Sequence, residues 1–338
     1  MNKTNRILTA ILVVQLALAV FLLWPRSAPA GGGPLLPDLK AEDVAQVTVQ
    51  DRDGNRIRLA RQGDGWVLPE ADDFPALADR VNQLLDKLVK LNTARLVAQT
   101  ADSHRRLQVA EADFQRRIEL ETKDGRRYVV YLGSSPQPAA IHVRLEGQNQ
   151  VYLGRDLSAF DAATLPSSYV SLDYQIVSQG DITAMTVTNA NGELRFRKDE
   201  AGQWTLEGLA EGEQPNAFAI SDLVSRAAAV RLSRPLGKTA RPEHGLDRPA
   251  AVVTLTVQPA GGQAQTVTLT VGAKDEADGT YVVRSSQSAY VVKTSEWSVR
   301  DFVEKARSDF LQQPTPTPEA TPTAPAESPE ATPTPAAP

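Results

Sequence analysis

The sequence predicts an α+β fold in which two tandem copies of an antiparallel-sheet-plus-helix domain follow one N-terminal transmembrane helix. Three observations support this prediction: an 18-residue apolar run near the N-terminus, a pattern of strands and one helix that occurs twice, and a tryptophan at the same place in both occurrences. Runs of strands interrupted by a single helix favour an antiparallel sheet covered on one side over alternating strand-helix units.

The apolar run comes first along the chain. Residues 1–6 contain Lys3 and Arg6 and no acid, which predicts a cytoplasmic start. Residues 7–24, "ILTAILVVQLALAVFLLW", would span about 27 Å as a helix, close to the bilayer hydrocarbon thickness of about 30 Å. We therefore expect a single-pass anchor in the cell membrane, with the bulk of the chain extracytoplasmic. The alternative is a signal peptide cleaved after "APA" near Ala30, which would make the protein secreted.

Two stretches flank the predicted domains. Residues 25–37 are rich in glycine and proline and predict a flexible tether on the membrane side. Residues 312–338 contain nine prolines and six threonines with no large apolar group, so this tail cannot bury a core and is predicted to be disordered. Two functions remain open for the tail: a spacer through a cell wall, or an inert solubilising segment.

The repeated pattern begins with three strands. "EDVAQVTVQDRDGNRIRLARQGDGWVLPE" parallels "GDITAMTVTNANGELRFRKDEAGQWTLEG", with Gly54 and Gly192, and then Trp66 and Trp204, 138 residues apart. Alternating apolar positions on either side of a glycine-containing turn predict a β-hairpin in each copy. The tryptophan opens a third short strand, so we predict that Trp66 and Trp204 are core residues packed under the first helix of their own copies. The alternative is an exposed platform on which a ligand stacks.

The pattern continues beyond the tryptophans. Residues 76–91 and 218–232 have apolar residues at helical spacing. Further on, "HRRLQV" parallels "PEHGLD" with Leu107 facing Leu246, and two strand pairs end in Gly133 and Gly272. Each copy is predicted to close with a short helix, near "DLSAFDAATL" and near "SEWSVRDFVEKA". The predicted domains are residues 38–172 and 173–311.

These motifs resemble a known family. The succession of "VTV", "GWVL", a helix with "VNQLLDKLVKL", "YLG" and "HVRLEG" is similar to the DUF4340 family, over about residues 39–311. The resemblance implies a bacterial domain of unknown function that follows one membrane helix. Some relatives are encoded beside ABC-2 type transporter components, which implies an accessory role at an exporter. The family supplies no catalytic residues.

The composition limits the classes of partner and chemistry. The net charge is −5, from 36 basic and 41 acidic residues, so the chain lacks the basic excess that binds phosphate backbones, and we predict no nucleic-acid partner. The sequence contains no cysteine, which excludes disulfides, thiolate nucleophiles and cysteine-based zinc sites.

The motifs predict no catalytic, metal or cofactor site. His104, His142 and His244 do not have the spacing of paired metal ligands. "DRDGN" resembles part of a calcium loop, but its counterpart "NANGE" has lost both carboxylates, so we interpret both as hairpin turns. "LGSSP" around Ser134 is not a G-x-S-x-G elbow. A pair of carboxylates of the glycosidase type stays open.

Binding is therefore the favoured class of function. Arg144 and Arg284 occupy equivalent strand positions and would either line a groove between the copies or pair with acids inside each fold. The leading hypothesis is a non-enzymatic accessory or scaffold subunit of an envelope system such as an ABC-type exporter. The second is a cell-wall or polysaccharide-binding module, and the third an envelope hydrolase. A flat apolar patch on the membrane-proximal copy would favour the first. Exposed aromatic residues in a groove would favour the second, and two carboxylates about 5 to 9 Å apart the third.

Overall fold

The computed structural model describes residues 32–312 and, before them, only Gln15. The predicted membrane helix, most of the tether and all but the first residue of the predicted tail therefore lie outside the described residues. Within the described range, no helix has both the length and the apolar character needed to cross a membrane.

Nine strands form one antiparallel sheet, called sheet I, in the order β4-β3-β2-β1-β8-β9-β10-β11-β5. A separate hairpin of β6 and β7 accompanies it. The strands are β1 (Val44–Asp51), β2 (Arg56–Gln62), β3 (Gly65–Leu68), β4 (Phe74–Ala76), β5 (Leu96–Ala98), β6 (Val109–Ala110), β7 (Asp113–Phe114), β8 (Arg116–Thr122), β9 (Arg127–Leu132), β10 (Ala140–Leu145) and β11 (Val151–Arg155). The helices of this part are α1 (Ala78–Val89) and α2 (Asp102–Arg106).

Eight strands form a second antiparallel sheet, called sheet II, in the order β15-β14-β13-β18-β19-β20-β21-β17. A two-stranded sheet of β12 and β16 lies beside it. The strands are β12 (Asp173–Ile176), β13 (Ile182–Asn189), β14 (Gly192–Lys198), β15 (Trp204–Leu206), β16 (Ala229–Arg231), β17 (Arg234–Gly237), β18 (Ala251–Val257), β19 (Gln265–Asp275), β20 (Thr280–Ser285) and β21 (Val291–Ser295). The helices are α3 (Ala217–Ala228) and α4 (Glu296–Glu304). The predicted combination of antiparallel sheets with a few helices is confirmed.

The two sheets have the same strand order once β4 is set aside. We call sheet I with α1, α2, β6 and β7 the first unit, and sheet II with α3, α4, β12 and β16 the second unit. The registers also agree: Val49 pairs with Ile57 in the first unit, and Val187 pairs with Leu194 in the second. Positions that share a place in this order and register are called equivalent below.

The helix that follows the first strands of each unit buries one of its sides in the core, and in the second unit α4 also packs on sheet II. In α1, the buried residues follow helical spacing and point to one side: Val81, Leu84, Leu85 and Leu88. In α3 the corresponding residues are Ile220, Leu223, Val224 and Ala227. All of these side chains belong to one continuous hydrophobic core that includes residues of both units.

The two repeated tryptophans lie in this core. Trp66 is 1% exposed, and its indole N–H donates to Asn82 Oδ1 of α1 at 3.2 Å. Trp204 is 7% exposed in the second unit. The guanidinium of Arg61 lies 4.6 Å from the Trp66 ring, and the ammonium of Lys198 lies 5.5 Å from the Trp204 ring. Each indole therefore has a cation beside it and the core around it.

Gly133 and Gly272 permit a close backbone contact. A Cβ on Gly133 would lie 2.1 Å from the carbonyl oxygen of Leu107, and a Cβ on Gly272 would lie 2.1 Å from that of His244. Because real Cβ atoms do not approach oxygens so closely, only glycine fits. This contact gives Leu107 and His244 the same place beside the two glycines, whereas the sequence comparison had paired Leu107 with Leu246, whose side chain also contacts Gly272.

Two predicted helix boundaries also differ from the structure. The stretch "DLSAFDAATL" was predicted to be a closing helix, but residues 157–165 form turns. Asp161 Oδ2 accepts from the backbone N–H of Ser158 at 2.8 Å. That bond holds a turn, because a short side chain competes with the helical backbone for its hydrogen bonds. In the second unit α3 ends at Ala228, because the next three residues form β16 and pair with β12.

The two units meet through the loop before β4. The backbone N–H of Lys238 donates to Asp72 Oδ2 at 2.7 Å, and the Phe74 ring packs edge-on against Tyr290 with centroids 4.7 Å apart. Asp72 has a φ of 52°, and Gly237, against which its carboxylate packs, has a φ of 115°. The junction is therefore a packed contact built on two residues with unusual backbone angles.

Candidate functional site

Three exposed apolar side chains lie on the segments that form one cleft in the first unit, and one of them, Phe160, lines it. Leu77, Phe160 and Leu165 are 43%, 90% and 63% exposed, and we call them the apolar rim. Phe160 lines a cleft of about 250 Å³ together with Arg80 and Gln83 of α1 and Ser168 and Tyr169 of the following turn. The N–H of Leu77 donates to Tyr169 O at 2.6 Å, and the N–H of Ser168 donates to Leu165 O at 3.0 Å.

An ion pair fixes the loop that carries Phe160. Lys87 Nζ of α1 lies 2.6 Å from Asp161 Oδ1, next to Phe160 in sequence. Burial alone would raise the pKa of Asp161, but hydrogen bonds from Lys87 and Ser158 outweigh it and lower the pKa. Asp161 is therefore ionised at neutral pH, and the loop stays on the helix while the Phe160 ring points into solvent.

The floor of the cleft is a neutral phenol. Tyr169 is 2% exposed, and its hydroxyl donates to Ala163 O at 3.1 Å. Burial raises the pKa of Tyr169 to about 12, so the group does not ionise at physiological pH. The cleft thus combines the exposed Phe160 ring with a buried tyrosine whose hydroxyl is hydrogen-bonded.

The second unit has an aromatic residue beside its helix as well. Trp297 is 68% exposed and lines a cleft of about 350 Å³ with Asp222, Ser225 and Arg226. The Arg226 guanidinium lies 4.4 Å from the centre of the indole and forms ion pairs with Asp222 at 2.9 Å and with Asp301 at 3.6 Å. The cation holds the indole in place while much of the ring stays open to solvent.

Arg144, predicted for a groove, is buried in the first unit. It is 3% exposed, its guanidinium donates to Val109 O and Gln148 O, and it lies 4.5 Å from the centre of the Tyr131 ring. It also lines a cleft of about 630 Å³ beside α2 and the turn after β10. Because its donors are engaged by backbone carbonyls, the main role visible for Arg144 is to hold β6 against sheet I.

Arg284 occupies the equivalent position in the second unit, in a different environment. It is exposed, and its strand neighbours are Thr270 and Val291, whereas those of Arg144 are Tyr131 and Val151. No described residue is a strand partner or hydrogen-bond partner of both Arg144 and Arg284. The groove between the units therefore stays a prediction.

A serine and a histidine lie together on sheet I. Ser134 Oγ is 3.0 Å from His142 Nδ1 and 3.3 Å from Leu107 O. Burial lowers the pKa of His142, which leaves its imidazole neutral at pH 7. Within residues 32–312 no carboxylate hydrogen-bonds to this imidazole, and the equivalent residues of the second unit are Ala273 and Val282. Two members of a nucleophile-base-acid arrangement are present without the third.

The "DRDGN" turn uses its first carboxylate for structure. Asp51 Oδ1 accepts from the N–H groups of Asp53 and Asn55 at 3.0 and 2.9 Å, and Oδ2 accepts from Thr164 at 2.8 Å. In the equivalent turn, Asn189 Nδ2 donates to Phe302 O and Lys305 O. Among the described residues no three His, Cys, Asp or Glu side chains are grouped as metal ligands.

The sequence did not reveal the apolar rim. Phe160 and Leu165 lie in a segment that we predicted to be a helix, where apolar residues usually face the core. The one available signal was the proline after Leu165, which disfavours a helix at that point.

The fold and these surfaces define an α+β protein with two antiparallel sheets and exposed apolar groups beside its helices. The chain matches the family model described as "Domain of unknown function (DUF4340)" over residues 66–249, which is more than half of its 338 residues. The protein belongs to the DUF4340 family, and the resemblance inferred from its motifs is confirmed. A search of curated proteins and a search of solved structures gave no match.

Proposed function

We propose that this protein is a non-enzymatic accessory or scaffold subunit, anchored in the cell membrane by residues 7–24, in an envelope system such as an ABC-type exporter. In this proposal residues 1–6 are cytoplasmic and the two units are extracytoplasmic. The observation that supports it most directly is the apolar rim on the first unit, the unit that follows the anchor. Contiguous apolar groups exposed on a soluble domain mark sites that bind a protein or a membrane.

We also infer that the two units are copies of one domain. Their common strand order, the glycine contacts at Gly133 and Gly272, and the cations beside Trp66 and Trp204 support this inference. A further parallel is the ion pair between the first helix and the closing segment, Lys87 with Asp161 and Arg226 with Asp301. Two copies of a domain keep the same fold more readily than they keep the same surface residues. The binding role is therefore assigned to the apolar rim of the first unit alone.

The test is site-specific photocrosslinking in the intact cells that make the protein. A photoreactive phenylalanine analogue replaces Phe160 in one variant. In the matched control it replaces Arg300, which precedes Asp301 as Phe160 precedes Asp161. We expect a crosslink from position 160 to an exporter permease or its ATPase partner subunit, no such product from position 300, and a bait whose N-terminus is intact by mass spectrometry.

Two results would contradict the proposal. Equal crosslinking from positions 160 and 300 would mean that the rim has no special role. A bait that begins at residue 31 and carries no membrane protein would exclude the anchored accessory subunit.

Trp297 favours a second candidate function, the binding of a cell-wall polymer or other polysaccharide. A largely exposed indole in a cleft with Asp222 and Arg226 provides the stacking surface and polar groups that a sugar ring requires. Sedimentation of the protein with isolated wall polymer, compared between the parent and Trp297→Ala, tests this candidate. Loss of co-sedimentation in the variant supports it, and equal co-sedimentation of both proteins removes it.

A further inference from the structure

The open edge of sheet I carries cations and apolar side chains together. Leu96 and Val97 of β5 are 41% and 42% exposed, and Lys90, Arg95 and Arg155 beside them are exposed as well. We call these five residues the basic edge. Its three cations line a cleft of about 530 Å³, to which Lys87 and Asp156 also contribute.

The three cations of this edge have no acidic partner in the described part of the chain. Within residues 32–312, no carboxylate lies within salt-bridge distance of Lys90, Arg95 or Arg155, whereas Lys87 is paired with Asp161. The basic edge is therefore locally positive, although the net charge of the whole chain is −5. A local field of this sign attracts an anionic surface.

The chain enters the described structure beside this edge. Gly32 packs against Thr93 and Ala94, and the N–H of Thr93 donates to Gly33 O at 3.0 Å. Residues 25–31 are the only link between Gly32 and the end of the apolar run at Trp24. Seven residues reach at most about 25 Å when fully extended. If residues 7–24 span the bilayer, Arg95 must therefore remain within a few nanometres of the lipid headgroups.

The equivalent edge of sheet II is covered. There Arg234, Pro235, Leu236 and Gly237 take the places of Arg95, Leu96, Val97 and Ala98, with the same pairing irregularity against the neighbouring strand. Gly237 and the adjacent Lys238 contact Asp72 of the first unit. The first unit has no preceding unit within residues 32–312 to cover its own edge.

We propose that the basic edge rests on anionic phospholipid headgroups of the membrane that holds residues 7–24. The proposal depends on the anchor of the proposed function and adds a second contact between protein and lipid. Lys90, Arg95 and Arg155 bind headgroup phosphates, and Leu96 and Val97 enter the interfacial layer. The contact fixes the orientation of the first unit relative to the membrane, and added salt weakens it.

The experiment uses the full-length protein reconstituted in vesicles. Because the chain contains no cysteine, Val97→Cys provides a single site for an environment-sensitive dye, and Leu236→Cys provides the matched site on the covered edge. The vesicles contain phosphatidylcholine alone or mixed with phosphatidylglycerol, together with a lipid that carries a quencher in its headgroup. We expect quenching at position 97 with phosphatidylglycerol, little with phosphatidylcholine alone, and none at position 236.

Charge-reversal variants test the cations. Lys90→Glu, Arg95→Glu and Arg155→Glu should each lower the ratio of lipid-contacting to free label about thirtyfold, because each reversal changes the charge of the edge by two. Arg234→Glu is the matched control and should leave that ratio unchanged. The variants should unfold at the parent's temperature, because the replaced side chains are exposed and have no ion pair among the described residues.

The outcomes separate this inference from the proposed function. Failure of the protein to float with vesicles would overturn the anchor and, with it, the headgroup contact. Flotation with no quenching at position 97, or with equal quenching in both lipids, would overturn only the headgroup contact. A disulfide between two Val97→Cys chains without lipid quenching would also overturn it, in favour of a second copy at this edge.

Discussion

The edges of the two sheets have the same construction and different neighbours. In the first unit, Arg95 and Leu96 stand on an edge open to solvent. In the second unit, Arg234 and Pro235 stand on an edge that the first unit covers next to Gly237. Equivalent strand order therefore does not imply an equivalent surface, because the exposure of an edge depends on what lies outside the sheet.

The outer faces of the sheets differ in the same way. On sheet I, Arg117, Glu119, Arg127 and Glu146 form a linked set of ion pairs. On sheet II the equivalent rows contain threonines, including Thr254, which pairs with Thr186 and Thr268. The inner faces agree because both must bury apolar side chains, whereas nothing imposes that agreement outside.

The largest expected loss of stability follows from replacing the buried tryptophan that each unit contains. Trp66→Ala and Trp204→Ala should each lower the free energy of unfolding by about 3–5 kcal/mol, because each removes a large buried side chain. The loss should be greater for Trp66, whose hydrogen bond to Asn82 disappears as well. Urea unfolding followed by circular dichroism measures both losses. Trp297→Ala, at an exposed indole, should change the free energy by no more than about 0.5 kcal/mol. A comparable loss in all three variants would refute the assigned core.

A smaller loss should follow from filling the glycine contacts. Gly133→Ala and Gly272→Ala should each destabilise the protein by about 1–3 kcal/mol, because the new methyl group meets a backbone carbonyl that cannot move freely. Similar losses in the two units would strengthen their equivalence, and strongly unequal losses would break it. Gly65→Ala is the control, since its nearest neighbour would be 3.7 Å away. Thermal unfolding of the three variants provides the comparison.

A substitution should cost more stability at the covered edge of sheet II than at the open edge of sheet I. Gly237→Ala should cost about 1–2 kcal/mol, because its φ of 115° is strained for alanine and the methyl group meets Asp72. Ala98→Gly at the open edge should cost about 0.5–1 kcal/mol through chain entropy alone. The free energies of unfolding in urea separate the two effects. Adding Asp72→Gly to Gly237→Ala should restore the part of the free energy of unfolding that is lost because the new methyl group meets the Asp72 side chain. If the double variant is no more stable than Gly237→Ala, that contact does not limit stability.

The smallest effect should appear in acid. Lys293 forms ion pairs with Asp275 and Asp278, whereas the equivalent residue of the first unit is Leu153. Hydrogen bonds from Thr280 and Lys293 lower the pKa of Asp278 to about 2 from 3.8. The folded-state pKa is lowered, so this stabilisation is complete above about pH 4 and is lost as the pH falls toward about 2. Asp278→Asn should flatten this part of the plot of melting temperature against pH. An unchanged slope would show that the carboxylate does not titrate with folding.

Much of the architecture was predictable because it depends on local periodicity. Alternation predicted the hairpins around Gly54 and Gly192, and helical spacing placed α1 within two residues of its observed ends. The closing helix of the first unit was predicted wrongly, because Asp161 is bound to Ser158 and to Lys87, 74 residues earlier in the chain. The environment of Arg144 was equally inaccessible, since Val109 becomes its neighbour only when β6 packs on sheet I.

The sequence by itself therefore determined the α+β class, the positions of Trp66 and Trp204 in their strands, and the family, all of which follow from patterns between near neighbours. Only the tertiary structure decided that Phe160 is exposed, that Arg144 is buried and Arg284 is not, and that one sheet edge is open while its counterpart is covered. The physical reason is that burial and ion pairing are set by residues brought together from distant parts of the chain, and no short stretch of sequence encodes its partners across that distance.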